Sequence, residues 1–318
     1  MKKIIFGLGI IITLLTVLIV SWIRVDTKPA EVATSQVAEP DRSKTFIIGI
    51  ASESNDLVAE DTKEYETLAN YISSKLVSKG ITASKVINLV SISGMAQLMR
   101  QGRIDILIDS PFPTYVINKL SGAQPIAIRW KNGYEKYNSV IYANASSGIK
   151  TLNDLKGKML VFEDPYSTSG YFLPKSELLD KKYKLVEKTR GQIVGKDEIG
   201  YYFSFDGYGE VDKGNAAAAV EIGYKFDENL ALHPGAYIVL FKTIDVYRHV
   251  VLARSDMDPT LKSELMSILL DMNKDPKGIK VLADISQTSK FSILPNMDVA
   301  FNGIRELTKY IEQEIVAR

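Results

Sequence analysis

Three consecutive hydroxyl residues and a glycine, Ser167, Thr168, Ser169 and Gly170, stand just beyond the end of an apolar run in the segment VFEDPYSTSGYFLP, residues 161–174. The run to Phe162 has strand character, and Glu163, Asp164 and Pro165 after it mark a turn. A helix starting after such a turn leaves backbone N–H groups unpaired at its positive end, a ready seat for an anion. Ser and Thr side chains there either cap the helix or turn outward to donate to a ligand oxygen. Gly170 allows a close backbone approach. Three hydroxyls exceed what one cap requires, and several converging donors suit a tetrahedral oxyanion. The four residues by themselves fit both a cap and an anion cradle. Pro174 disfavours helical geometry at Leu173, so the helix is expected to bend there or to start at Pro174.

Other chemistry is thinly represented. The chain of 318 residues has no cysteine, which excludes disulfides, thiolate metal sites, a cysteine nucleophile and a cysteine-linked lipid. Its two histidines, His233 in the turn LHPG and His249 in a strand, lack metal-ligand spacing. No base is readable beside a candidate serine nucleophile. Neither catalysis nor a metal or cofactor is expected. A formal net charge of +1 supplies no global basic field for nucleic acid. Partners are to be sought in a local site.

The elements that must position such a site alternate between short apolar runs and amphipathic helices. FIIGIA (46–51), ASKVINLV (83–90) and IDILIDS (104–110) read as strands, separated by helices over 64–80 and 94–102. This βαβαβ order predicts a mostly parallel sheet with helices on both faces. A second unit follows, with strands at 125–130, 138–145, 159–164, 201–205, 216–222, 237–244 and 248–255 and a short helix at TLNDLKG. The chain closes with helices over 259–273, around GIKVLADIS, and over 299–316. Two α/β units, one enclosed by the other, predict two lobes and a cleft. Ligands of open α/β sheets sit beyond the carboxyl ends of strands, where residues 163–170 fall.

The N-terminus opens MKK and runs apolar from Ile4 to Ile23, about the 20 residues a membrane-spanning helix needs. Secretory h-regions are shorter and end at a small-residue cleavage site, and none stands cleanly after Trp22. An uncleaved signal anchor over residues 1–24 is expected, with a cleaved signal peptide as its rival, and in either case the remainder is exported. The polar segment 25–45 reads as a linker.

GKMLVFEDPYSTSGYFLP resembles the G-K-x-x-x-F-x-D-P-x-S-T-S-G-Y-x-x-P segment of the phosphate-, phosphite- and phosphonate-binding proteins of ABC importers. YETLANYISSKL, GMAQLMRQGRIDILIDSPFPTYVINK, YNSVIYANASSGIKTLNDLKGK and VVLARSDMDPTLKSELMSILLDM resemble further segments of that family in the same order, over most of residues 46–275. The resemblance implies a type II periplasmic-binding-protein fold. It places lobe 1 at 46–140 and 245–318, lobe 2 at 141–244, and crossovers between them. It implies that Ser167, Thr168 and Ser169, with the amides around Gly170, hold phosphoryl oxygens. Glu221, after the small-residue strand GNAAAAVE, matches an acid that faces the ligand in the family; the rival reading is a solvated strand-end acid. GMAQLMRQGRIDILIDSPFPTYVINK reads as a helix, a strand and then a loop. That loop carries Asp109, Ser110 and Pro111 in place of the family's aromatic residue and glycine. With Tyr137 at the head of the crossover segment, the candidate ligand-binding set is Ser167, Thr168, Ser169, Gly170, Glu221, Asp109, Ser110 and Tyr137. The implied function is an extracytoplasmic solute-binding protein that delivers phosphate, phosphite or a phosphonate to an ABC permease and ATPase. The alternative is a membrane-tethered sensor or accessory protein with the same cleft and a different small anion.

Overall fold

The computed structural model describes residues 41–51, 58–294 and 296–317. The expected anchor over residues 4–23 and the linker up to residue 40 lie outside the described residues. No helix among those described is long and apolar enough to cross a membrane.

In chain order, the first strands are β1 (Thr45–Ala51), β2 (Ala83–Leu89), β3 (Ile106–Asp109), β4 (Gln124–Lys131) and β5 (Lys136–Tyr137). Next come β6 (Ser139–Asn144), β7 (Lys158–Phe162), β8 (Lys184–Glu187), β9 (Glu198–Phe203) and β10 (Ala218–Ile222). The last are β11 (Tyr237–Lys242), β12 (Val246–Tyr247), β13 (His249–Ala253) and β14 (Thr288–Ile293). They form one six-stranded sheet in the order β14-β4-β13-β3-β1-β2 and another in the order β11-β6-β10-β7-β9-β8. β1 is buried along nearly its whole length, as a central strand covered on both faces must be.

The helices are α1 (Val58–Lys75), α2 (Ile92–Arg100), α3 (Pro111–Ser121), α4 (Leu173–Asp180) and α5 (Gly207–Asp212). They continue with α6 (Gly223–Leu232), α7 (Pro259–Asp271), α8 (Pro276–Asp284), α9 (Ile304–Thr308) and α10 (Glu312–Ala317). Leu68 and Ile72 on α1, with Leu265 and Leu269 on α7, cover one face of the first sheet. Met95 and Met99 on α2, with Phe112 and Val116 on α3, cover the other.

The chain passes between the two sheets twice. On the way it forms a two-stranded antiparallel ribbon in which Tyr137 of β5 pairs with Val246 of β12. β13 then enters the first sheet between β3 and β4 and runs antiparallel to both. β6 likewise runs antiparallel to β10 and β11 in the second sheet. Both sheets are therefore mixed: the second keeps the mostly parallel character that the βαβ pattern suggested, with three of its five strand pairs parallel, whereas the first has two of five. A strand arriving from the other lobe enters its sheet from the hinge end, opposite in direction to the strands laid down by local crossovers.

Two helical expectations are corrected as well. The segment SPFPTYVINK, read as a loop, forms α3. Its prolines occupy the first turn, where Pro111 at the first helical position gives up no intrahelical hydrogen bond. The single helix expected over 299–316 is instead a 3₁₀ turn (Met297–Phe301), α9 and α10. Gly303 interrupts it with φ 80°, and a Cβ there would collide with Ile244. The last helix bridges the lobes: Glu312 pairs with Lys119 of α3 at 2.7 Å, and Glu314 with Lys175 of α4 at 2.7 Å.

Candidate functional site

The hydroxyl cluster follows β7 as the sequence suggests, but its three members do different things. Ser167 is a cap: its Oγ accepts the Gly170 N–H at 2.9 Å and donates to Glu163 Oε2 at 3.2 Å. Residues Thr168–Phe172 form one wide π-type turn that leads into α4, so the helix starts ahead of Pro174 through an irregular turn. Thr168 reaches across the cleft and donates from Oγ1 to Ser110 Oγ at 2.9 Å. Ser110 lies at the head of α3 in the first lobe, so this bond joins the lobes. Ser169 is buried, and its carbonyl accepts the Ser139 hydroxyl at 2.7 Å. Gly170 serves a close approach to Glu163: a Cβ there would collide with the Glu163 side chain.

Between these elements lies a cavity of about 220 Å³ lined by Ser167, Thr168, Ser169, Asp109, Ser110 and Tyr137. Six of the eight candidate residues thus converge on it. Gly170 and Glu221 are not among its lining residues. Glu221 accepts the Ile222 N–H at 2.8 Å, and Ile222 faces the cavity in its place. Burial, reinforced by the nearby Glu163, raises the Glu221 carboxyl above the usual carboxylate range despite the Ile222 N–H.

The cations of the site escaped the sequence reading. Lys131 at the end of β4, Lys225 on α6 and Arg248 between β12 and β13 all line the cavity, with Tyr224 and His249 beside them. Arg248 is 8% exposed, and its guanidinium lies 4.6 Å over the Tyr137 ring and 5.7 Å from that of Tyr224. One amino group donates to Tyr224 Oη at 3.3 Å, while Nε is buried with no hydrogen-bond partner. His249 Nδ1 is also buried and unpaired. Burial and the cations Arg129, Lys131 and Arg248 hold the His249 imidazole well below its ordinary value, hence neutral. Burial pushes Tyr137 up to about 12 against the pull of Arg248 and the Thr168 hydroxyl. The one available sequence signal was position: Arg248 stands in the return crossover, which must run beside the outgoing one at Tyr137.

Asp109 faces the same space at the end of β3 and accepts the Ser110 N–H at 2.5 Å. Burial raises its carboxyl to about 7, although the Ser110 N–H favours the ionised form. Near neutral pH a large share of Asp109 is therefore protonated, able to donate to an oxyanion instead of repelling it.

The chain that builds this arrangement, hydroxyls from both lobes around a buried guanidinium in a hinge cleft, matches a known family. The family model described as "ABC transporter, phosphonate, periplasmic substrate-binding protein" matches residues 59–298. The chain belongs to this family. It is 33% identical over 107 residues to the phosphate-import protein PhnD of Mycolicibacterium smegmatis, a match covering 31% of this chain and 33% of the relative. The chain thus spans about a third of the length of that curated relative. XAC2383 from Xanthomonas citri, solved bound to ATP, superposes with a TM-score of 0.73 at 20% identity, covering 85% of this chain and 98% of that one. PhnD1 from Prochlorococcus marinus, solved with methylphosphonate, has a TM-score of 0.58 at 16% identity, covering 85% and 99%. At such identities the structures share the two-lobed periplasmic-binding-protein fold. The family is one of transport substrate-binding proteins and its members are extracytoplasmic.

Proposed function

We propose that this protein is the extracytoplasmic solute-binding component of an ABC importer and that it holds phosphate, phosphite or a phosphonate in the hinge cavity. The observation that carries this reading is Arg248, a buried guanidinium lining the cavity with Nε unpaired. The guanidinium brings a fixed positive charge to the cavity wall, and charge-assisted hydrogen bonds to an oxyanion contribute roughly 1.5–3 kcal/mol each. Thr168, Ser169 and Ser110 add neutral donors, and Tyr137 walls the hinge side. Lobe 1 comprises residues 46–140 and 245–318, lobe 2 residues 141–244, and the lobes close on the ligand before docking on a permease with its ATPase. Residues 4–23 tether the protein to the cytoplasmic membrane.

Isothermal titration of the full-length chain in detergent micelles, with phosphate, phosphite and methylphosphonate in turn, tests the reading. Saturable one-to-one binding of at least one is expected, with loss of affinity in Arg248→Met. The absence of binding by all three refutes it. Carbonate extraction of membranes tests the tether, and release of the protein into the supernatant would count against it.

A further inference from the structure

The turn that leaves β4 reads KNGY, residues 131–134. An Asn-Gly pair suits a two-residue hairpin turn, which needs positive φ at both positions, and Asn132 and Gly133 sit at φ 56° and 78°. The Tyr134 N–H closes the turn on the Lys131 carbonyl at 3.1 Å. Asn132 and Tyr134 leave the first sheet here and meet Tyr224 on α6, just after β10 of the second sheet. The Tyr134 and Tyr224 rings stack with centroids 4.4 Å apart and planes 17° from parallel, and Asn132 Nδ2 donates to Tyr224 Oη at 2.8 Å. Arg248, at the entry to β13, donates to the same oxygen at 3.3 Å. The head of α6 is itself held in place. The Gly223 N–H donates to the Asn138 carbonyl at 2.9 Å, and a Cβ on Gly223 would collide with the Asn138 side chain. Tyr224 lines the oxyanion cavity, whereas Tyr134 lines a different groove of about 510 Å³ and not that cavity.

We infer that Tyr224 is a positioning residue for anion capture: when the cleft closes, the KNGY turn clasps it, and its hydroxyl then holds the Arg248 guanidinium at the cavity wall. The inference rests on the phosphoryl-binding reading of that cavity. Tyr137 packs on the guanidinium at 4.6 Å and Tyr224 takes one of its amino groups, so two tyrosines fix the plane of a fork that must meet its ligand in a set orientation. Tyr224 follows a strand of the second sheet, while its partners Asn132, Tyr134 and Arg248 flank strands of the first. A hinge opening that parts the sheets breaks the stack and both hydrogen bonds together. A clasp made only in the closed state adds its free energy to closure, and through closure to apparent affinity. Neither Tyr134 nor Asn132 needs to touch the anion for this, and neither lines its cavity.

The test uses the full-length protein in detergent micelles with phosphate, phosphite and methylphosphonate, reading affinity by calorimetry and dissociation rate by stopped-flow fluorescence. Tyr134→Ala removes the stack and should lower affinity roughly 2–10-fold, the worth of an aromatic pair, with the loss appearing in the dissociation rate. Tyr224→Phe keeps the ring but removes the oxygen that accepts from Asn132 and Arg248, and should lower affinity by a similar factor. In a Tyr224→Ala background the clasp is already gone, so Tyr134→Ala should change affinity by less than about twofold. Tyrosines that only support the fold would instead lower the urea midpoint and leave affinity unchanged. Wild-type affinity in either Tyr134→Ala or Tyr224→Phe, or a Tyr134→Ala loss that persists in the Tyr224→Ala background, overturns the clasp and leaves the phosphoryl reading standing. If Tyr224→Ala does not fold, the two single variants decide. If the wild-type protein binds none of the three anions, both are overturned.

Discussion

Replacing Arg248 with methionine should weaken anion binding strongly while leaving the stability of the free protein nearly unchanged. In the free protein the guanidinium gains contact with Tyr137 and Tyr224, at 4.6 and 5.7 Å, and one long hydrogen bond at 3.3 Å. Cation–π contacts of this kind contribute about 0.5–2 kcal/mol. Against them stands the buried, unpaired Nε, at a cost of about 1–3 kcal/mol. The two terms offset each other, so Arg248→Met should shift unfolding free energy by no more than about 1 kcal/mol in either direction, since methionine refills much of the apolar volume. In the complex each charge-assisted hydrogen bond contributes roughly 1.5–3 kcal/mol. Losing one lowers affinity about 10–150-fold, and losing a fork of two roughly doubles the free-energy loss. Arg248→Lys should fall between, because an ammonium keeps the charge without the planar fork. Calorimetric affinity and urea midpoints for the three proteins give both quantities. Wild-type affinity in Arg248→Met for every anion tested, or a stability loss large enough to explain weakened binding, would refute the reasoning.

The hydroxyls should separate in the same pair of measurements. Ser167→Ala should cost about 1 kcal/mol of stability as a lost cap, whereas Thr168→Ala should lower affinity about 10–150-fold through a donor to a charged ligand. Asp109 gives a pH signature. Its carboxyl titrates near 7 in the folded chain and near the ordinary 3.8 when unfolded, so its contribution to stability is full below about 4 and is lost as pH rises to 7. Asp109→Asn should remove that fall, which urea midpoints at pH 4.5 and 8 will show. The wild-type to Asp109→Asn affinity ratio for an anion should also drop above pH 7, where the ionised carboxylate repels the ligand; a flat ratio would mean that Asp109 stays clear of it. Finally, Thr168 and Ser110 join the lobes across the cleft at 2.9 Å. Small-angle scattering should show a smaller radius with a confirmed ligand than without it, and an unchanged radius would point to a cleft already closed.

Much of the scaffold was legible because its signals are local. The apolar runs at 46–51, 104–110 and 159–164 became central strands. The helix expected over 64–80 is α1 (Val58–Lys75) followed by a separate 3₁₀ turn, which Gly80 closes at φ 82°. The STSG segment landed at the end of β7, where a strand hands over to a helix. Strand direction was not legible in the same way: β13 and β6 cross from the other lobe, and a run of apolar residues reads alike in both directions. Proline at the head of α3 looked like a break because its effect depends on whether it falls in the first turn or later. The division of labour among three adjacent hydroxyls was equally out of reach. Ser167 turns back onto Gly170 while Thr168 reaches Ser110, 58 positions away, and that choice belongs to the backbone of a π-type turn. The cations of the site come from residues 131, 225 and 248, each in an ordinary local context, and they share its lining with the acidic Glu163 and Asp164. What makes Arg248 special is that the folded hinge lays it against Tyr137, 111 positions earlier, and removes the water from its Nε. The sequence by itself determined the strands, the turn and the supply of donors; burial and distance in the closed tertiary structure decided which of them face a ligand, because desolvation is a property of everything packed around a group and not of its neighbours in the chain.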